Sequence, residues 1–170
     1  MHDDAGADDA LVMSTSSGSR RALLRSLWHP GILLAVLDFL GLLIAAYLSF
    51  VELRNELPSC GIVKGCETVA TSEYSRINGI PVAVFGVILS ITLLALALRW
   101  WRTNRSGLLL AHYGLSFAGV IFEGYFTWLE VFVIRAVCMW CALYAISLLA
   151  RFLVTLVVWL RRDRYRAAAA

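Results

Sequence analysis

The residues of this chain best suited to chemistry are four cysteines, which come as two close pairs. Cys60 and Cys66 flank Gly61-Ile62-Val63-Lys64-Gly65, and Cys138 and Cys141 form Cys-Met-Trp-Cys. Four are too few for a disulfide scaffold but suit redox work. On a helix, positions i and i+3 share a face, so Cys138 and Cys141 can close a small, readily exchanged disulfide. With Cys138 at the helix N-terminus and Arg135 one turn before it, the dipole and the guanidinium both favour the thiolate, the form that attacks disulfides. Cys141 falls deeper, about 8 Å beyond Ala136 at about 1.5 Å per residue, where a lipid-borne oxidant reaches it and a soluble protein does not. Two glycines in the other pair's linker let that loop swing. A swinging pair beside an embedded pair makes a relay. Two other readings compete: a structural disulfide plus two buried apolar cysteines, and a four-thiolate zinc site. Membrane depth and an oxidising compartment weigh against zinc, and no metal is expected.

The elements that must position these sulfurs are membrane helices. Of the 170 residues 60% are hydrophobic and only 16% charged, with a net charge of +3, and the mean hydropathy is +0.75. Soluble domains carry about 45–50% apolar and about 25% charged residues. The excess excludes a disordered chain, a nucleic-acid binder and an ordinary soluble enzyme. Residues 1–19 are polar and acidic and read as a disordered cytoplasmic tail. The run Arg20-Arg21 invites a twin-arginine export reading, but the apolar stretch that follows is of full membrane length. Four apolar runs, 31–51, 80–100, 107–133 and 136–160, are each long enough to span as a helix. Helices satisfy their own backbone hydrogen bonds, which lipid cannot do. Pro30 and Pro81 suit the first turns of the first two spans. Ten of the fifteen basic residues (Arg20, Arg21, Arg25, Arg99, Arg102, Arg105, Arg161, Arg162, Arg164 and Arg166) flank one side. The positive-inside rule then puts both termini in the cytoplasm and the 52–79 loop outside. All four cysteines come to one oxidising face. The expected fold is an all-α integral membrane bundle of four transmembrane helices, with residues 20–166 as a single membrane domain.

Asp38, Glu123 and Arg151 lie inside the spans, where ionisable groups are paired or functional. Asp38 and Arg151 come to similar depths, about 10 and about 14 Å from the inner helix ends, so the sequence predicts that they pair. Snorkelling of Arg151 to the inner surface is the alternative. His112 is expected to pack or hydrogen-bond within the third helix.

The order of a loop cysteine pair, then Ser72, then a helical Cys-x-x-Cys resembles the vitamin K epoxide reductase family, specifically its bacterial members. Tyr47-Leu48-Ser49, Gly79-Ile80-Pro81 with Phe85-Gly86, Tyr125-Phe126-Thr127-Trp128, and Tyr144-Ala145-Ile146 after the second pair complete the set. It covers residues 31 to about 150. The resemblance implies a quinone (menaquinone or ubiquinone type) inside the bundle, under a short half-helix near 67–75. It implies that Ser72 shapes the site, and points to Phe85, Phe122, Tyr125 and Tyr144 as quinone-pocket residues. An interface belt is the competing reading for Phe122 and Tyr125. Glu123 could assist proton uptake by the quinone, against the plainer role of a hydrogen bond within the bundle.

Three departures from the family accompany the resemblance. No fused thioredoxin-like domain follows, so the redox partner is expected to be a separate periplasmic thioredoxin-like (DsbA-like) protein. Where animal members carry an asparagine near the start of the second helix, this chain reads Pro81-Val82-Ala83, and its tyrosine falls three rather than four residues after the last cysteine. The expected activity is quinone-linked thiol oxidation in a bacterial inner membrane, from partner thiols to Cys60/Cys66, to Cys138/Cys141, to quinone. Epoxide reduction, a DsbB-type fold with the reverse cysteine order, and a non-catalytic adaptor stabilised by disulfides are the alternatives.

Overall fold

A computed structural model describes residues 30–60 and 65–168, with side chains to 161. The acidic tail, the arginines before the first span and most of the Gly61–Gly65 linker lie outside the described residues. Helix α1 runs Pro30–Leu53, the short α2 Gly65–Ala70, α3 Val82–Thr103, α4 Ser106–Trp128 and α5 Met139–Ala168. Four stretches are long and apolar enough to cross a membrane: Pro30–Leu53, Val82–Thr103, Ser106–Ile134 and Met139–Arg161. Their lipid-facing surfaces carry exposed Leu33, Phe39, Ile88, Ile121 and Ile146. The protein is a multi-pass membrane bundle.

Local sequence explains how these helices start and stop. Asn78 and Gly79 both take positive φ (51° and 83°), the pairing that a two-residue hairpin turn requires. They join β1 (Arg76–Ile77) to β2 (Ile80–Pro81), with Ile77 opposite Ile80. Pro81 therefore caps α3 rather than opening it, and the helix starts at Val82. At the other end Asn104 turns left-handed (φ 52°), donates its N–H to the Trp100 carbonyl, and reverses the chain into α4. The last turns of α4 widen into a π-helical segment, Leu129–Ile134, closed by Arg135 in the left-handed region. In place of one half-helix over 67–75 there are two pieces, α2 and a 3₁₀ turn at Glu73–Ser75. They are separated at Thr71-Ser72, whose hydroxyls donate back to the Glu67 and Val69 carbonyls.

The bundle core is layered. Leu34, Ala97, Trp100 and Leu109 fill the end that carries the α3–α4 arginines. Ala45, Leu93, Tyr144 and Leu148 fill the half nearer the cysteines. Between them lies a fully buried polar layer of Asp38, Ser90, His112, Arg151 and Thr155. Arg151 Nη1 lies 3.5 Å from Asp38 Oδ1, so the predicted pair forms and Arg151 does not snorkel. His112 differs from expectation: it bonds across the bundle, its Nε2 3.1 Å from Asp38 Oδ2. Its Nδ1 lies 3.0 Å from Thr155 Oγ1. The guanidinium also donates to the Ser90 and Ser147 hydroxyls. It occupies the room that a side chain at Gly41 would take, since a Cβ there would lie 2.6 Å from Nη2.

Candidate active site

Three sulfurs meet at the end of the bundle opposite the α3–α4 turn. Cys60 and Cys66 are disulfide-bonded, with Cα atoms 6.0 Å apart. Their sulfurs and that of Cys138 all lie within 4.8 Å of one another. Trp140 holds the Cys60 strand by donating its indole N–H to the Ser59 carbonyl (3.0 Å) and packs on Tyr47 at 4.7 Å between ring centroids. Arg76, which follows the 3₁₀ turn, ties that segment back to the end of α1 through the Glu52 carbonyl and Asn55 Oδ1. Cys66 and Cys138 are buried, whereas Cys60 is half-buried.

The approach of Cys66 to Cys138 depends on Gly65. Its Cα faces the Val137 peptide so closely that an added Cβ would run into the Val137 carbonyl oxygen and lie 2.9 Å from the backbone nitrogen. Backbone cannot yield as a flexible side chain can. We therefore expect Gly65→Ala to push α2 off the α5 N-terminus and slow electron passage between the pairs at least about tenfold, since thiol exchange needs access to the target sulfur. Rapid-quench alkylation of the inner pair after reduction of the outer one measures this. An unchanged rate would mean that the contact does not govern the approach.

Cys138 immediately precedes α5, its carbonyl accepting the Ala142 N–H at 3.0 Å. Its thiol is held below the ordinary thiol range, chiefly by a hydrogen bond from the Cys141 side chain, against opposing burial. The sequence assigned part of this effect to Arg135, but that side chain is exposed and its residue serves instead to close the π segment. What stands at Cys138 is a carboxylate: Glu130 Oε2 accepts the Cys138 backbone N–H at 3.2 Å.

Cys141 opens into a cavity of about 390 Å³ walled by α1, α3, α4, α5 and the 3₁₀ turn. Leu48, Val82, Ala83, Leu89 and Leu115 make the lining largely apolar, and its polar groups include Ser72, Glu52, Glu123, Glu130 and Tyr144. Tyr144 donates its hydroxyl to the Gly86 carbonyl (3.1 Å) and lies 3.3 Å from Ser90 Oγ. That serine also receives the Arg151 guanidinium, so the polar layer reaches the cavity wall through one hydroxyl. Such a mostly apolar concavity with a few convergent polar groups is what small-molecule sites look like.

Of the residues singled out in the sequence, Cys141, Ser72, Phe85, Phe122, Tyr144 and Glu123 line this cavity. Tyr125 does not: it is 55% exposed and stacks on Trp128, while its neighbour Phe126 takes the wall position. One residue is about 100° of helix rotation, enough to exchange cavity for lipid. Ser72 lines the cavity while its hydroxyl is held by Val69. Glu52 and Glu130 are residues the sequence reading passed over. Glu130 lies in the third apolar run, where a carboxylate signals function by default, so that signal was available.

A family model described as the vitamin K epoxide reductase family matches residues 32–156. That stretch holds all four cysteines and the whole cavity lining, and its family is one of membrane thiol oxidoreductases associated with quinones and thioredoxin-like partners. With sulfur pairs, cavity and matched span coinciding, the chain belongs to the vitamin K epoxide reductase family.

Proposed function

We propose that the protein is a quinone-dependent thiol oxidase that supports disulfide formation outside the cytoplasm. The observation that carries this reading is the unbroken line of contact from the half-buried Cys60–Cys66 disulfide, through Cys138, to Cys141 on the cavity wall. A separate thioredoxin-like protein bearing a reduced dithiol delivers two electrons to Cys60–Cys66, and leaves with its own disulfide. Cys66 thiolate then attacks Cys138 of an oxidised Cys138–Cys141 pair, releasing Cys141 as thiolate. Cys60 resolves the mixed disulfide by attacking Cys66, which frees Cys138. Cys138 and Cys141 next return to a disulfide, and their two electrons and two protons convert a cavity-bound quinone to the quinol. Phe85 and Phe122 are both part of the cavity wall and part of the exposed surface, which gives a lipid-borne quinone a lateral entry.

The arginines at the α3–α4 turn and in the C-terminal part of α5 support cytoplasmic termini and external cysteines in a bacterial inner membrane. Val82 and Ala83 present methyl groups where animal members of the family carry an amide, which favours quinone over epoxide as the substrate. The test is reduction of decylubiquinone by purified protein supplied with a dithiol-form thioredoxin-like protein. Turnover should vanish in Cys138→Ser and Cys141→Ser, by at least about a thousandfold, because neither step has a substitute nucleophile. Turnover of an epoxide but not of quinone would redirect the assignment, and no turnover with all four cysteines intact would favour an adaptor.

A further inference from the structure

We propose that Glu130 is the proton carrier of the quinone-reducing step, taking the proton of the Cys141 thiol and delivering it to a quinone oxygen. This rests on the quinone reading above and assigns a catalytic residue to that site.

The placement of Glu130 is specific and built. In an ordinary continuation of α4, each further residue advances about 100° around the axis. The π-helical turn at Leu129–Ile134 changes that phase and leaves Glu130 buried, at 5% exposure, between α4 and the start of α5. π-Helical turns are rare and recur at functional sites. From there one carboxyl reaches three things at once. It accepts the Cys138 N–H at 3.2 Å, it acts electrostatically on the Cys141 thiol, and it lines the same cavity as Cys141. Glu123 also lines the cavity and acts electrostatically on both cysteines, but among the described residues Glu130 is the cavity-lining acid that hydrogen-bonds the inner pair's backbone.

The chemistry needs such a group. Oxidation of the Cys138–Cys141 dithiol forms one S–S bond and releases two electrons and two protons, and conversion of quinone to quinol takes up the same number of each. Cys138 gives up its proton most readily, being at the helix terminus and hydrogen-bonded from Cys141. The remaining proton sits on Cys141, on the wall of a largely apolar cavity. Glu130 carboxylate takes that proton as the S–S bond forms and passes it to the quinone oxygen, ending ionised as it began. The second proton reaches the quinol from the Cys138 thiol or, when Cys138 enters as thiolate, from water. The titratable groups around Glu130 are Cys138 just before α5, Cys141 on α5, Glu123 two turns back on α4, and Glu52 on the α1 wall of the same cavity. The nearest buried guanidinium, Arg151, acts on Glu123 and Tyr144.

The test uses the full chain, reduced in all four cysteines and mixed with one equivalent or less of decylubiquinone, so that a single quinone-reducing step is followed. Glu130→Gln keeps an oxygen to accept the Cys138 N–H but cannot carry a proton. Quinone reduction should slow about a hundredfold, in line with the usual contribution of a positioned acid–base group. Reduction of the Cys60–Cys66 disulfide by dithiothreitol should keep its wild-type rate. The pH profile of the quinone step should lose its carboxyl limb, and formate should restore part of the rate to Glu130→Ala in a saturable way. Glu130→Asp, which keeps the acid, should fall less than Glu130→Gln and serves as the second variant if the amide fails to fold. Wild-type-like quinone reduction in Glu130→Gln would overturn the assignment, as would equal slowing of both steps with an unchanged pH profile. If wild type itself fails to reduce decylubiquinone, the quinone reading falls and this proposal with it. If wild type reduces it and Glu130→Gln matches, only the role of Glu130 falls.

Discussion

Asp38→Leu is expected to destabilise the bundle by about 3–5 kcal/mol, the usual effect of leaving one member of a buried ion pair alone. Asp38 and Arg151 are both fully buried, and their closest charged atoms are 3.5 Å apart. Without the carboxylate, Arg151 retains only neutral acceptors, the Ser90 and Ser147 hydroxyls and the Ser147 carbonyl. The reverse substitution should be milder. In Arg151→Leu the carboxylate keeps His112, whose Nε2 lies 3.1 Å from Oδ2. The double variant should recover most of what Asp38→Leu loses, because replacing both charges by apolar groups removes the desolvation penalty along with the attraction. Thermal unfolding of the detergent-solubilised proteins, followed by tryptophan fluorescence, measures the series. Equal melting of Asp38→Leu and wild type would show that the pair does not hold the bundle. A double variant no better than the worse single one would show that the cost lies in lost packing.

The same layer connects stability to the site. Arg151 reaches Tyr144 through Ser90 and lies over the Tyr144 ring, 5.4 Å from its centroid. Losing the guanidinium should therefore loosen a cavity wall as well as the helix contacts, so Arg151→Leu should weaken quinone binding more than its melting temperature alone suggests. Gly41 belongs to this arrangement, because it leaves the space that the guanidinium fills.

The four spans were legible because membrane helices are written in uninterrupted apolar length, a signal that needs no knowledge of neighbours. The meeting of Cys60, Cys66 and Cys138 was legible for a related reason: once orientation is read from arginines, topology brings the two pairs to the same end. The Asp38–Arg151 pair followed from depth and charge alone. What depended on helix phase was not legible. A π-helical turn leaves no mark in hydropathy, so Glu130 could not be seen to turn inward from its place in the third run. Tyr125 and Phe126 are adjacent and both aromatic, and only the helix's actual rotation decides which of them faces the cavity. The break at Thr71-Ser72 was hidden because both hydroxyls bond to carbonyls of the preceding turn, a local choice that competes with continued helix.

In a protein carrying Cys60→Ser and Cys141→Ser, oxidation should leave one stable crosslink, between Cys66 and Cys138. The two substitutions remove the resolving thiols on either side and strand the intermediate of the transfer. Three observations select this pair. Cys66 and Cys138 are the buried members of the three-sulfur cluster, so their encounter is shielded from competing solvent thiols. Cys66 is the second residue of α2, fixed against the Val137 peptide through Gly65, whereas Cys60 is half-buried on an irregular strand that a soluble partner can approach. Cys138 has the lowered thiol and sits at the start of α5, while Cys141 lies on the cavity wall. Exchange requires an accessible target sulfur and a good leaving thiolate, and this order gives each sulfur one reacting neighbour on either side. The crosslink should be near-complete by mass spectrometry after proteolysis. The matched Cys66→Ser/Cys141→Ser protein should form far less Cys60–Cys138 crosslink under the same conditions. A dominant Cys60–Cys138 bond in that comparison would reverse the roles of the outer cysteines and make Cys66 the one that meets the partner.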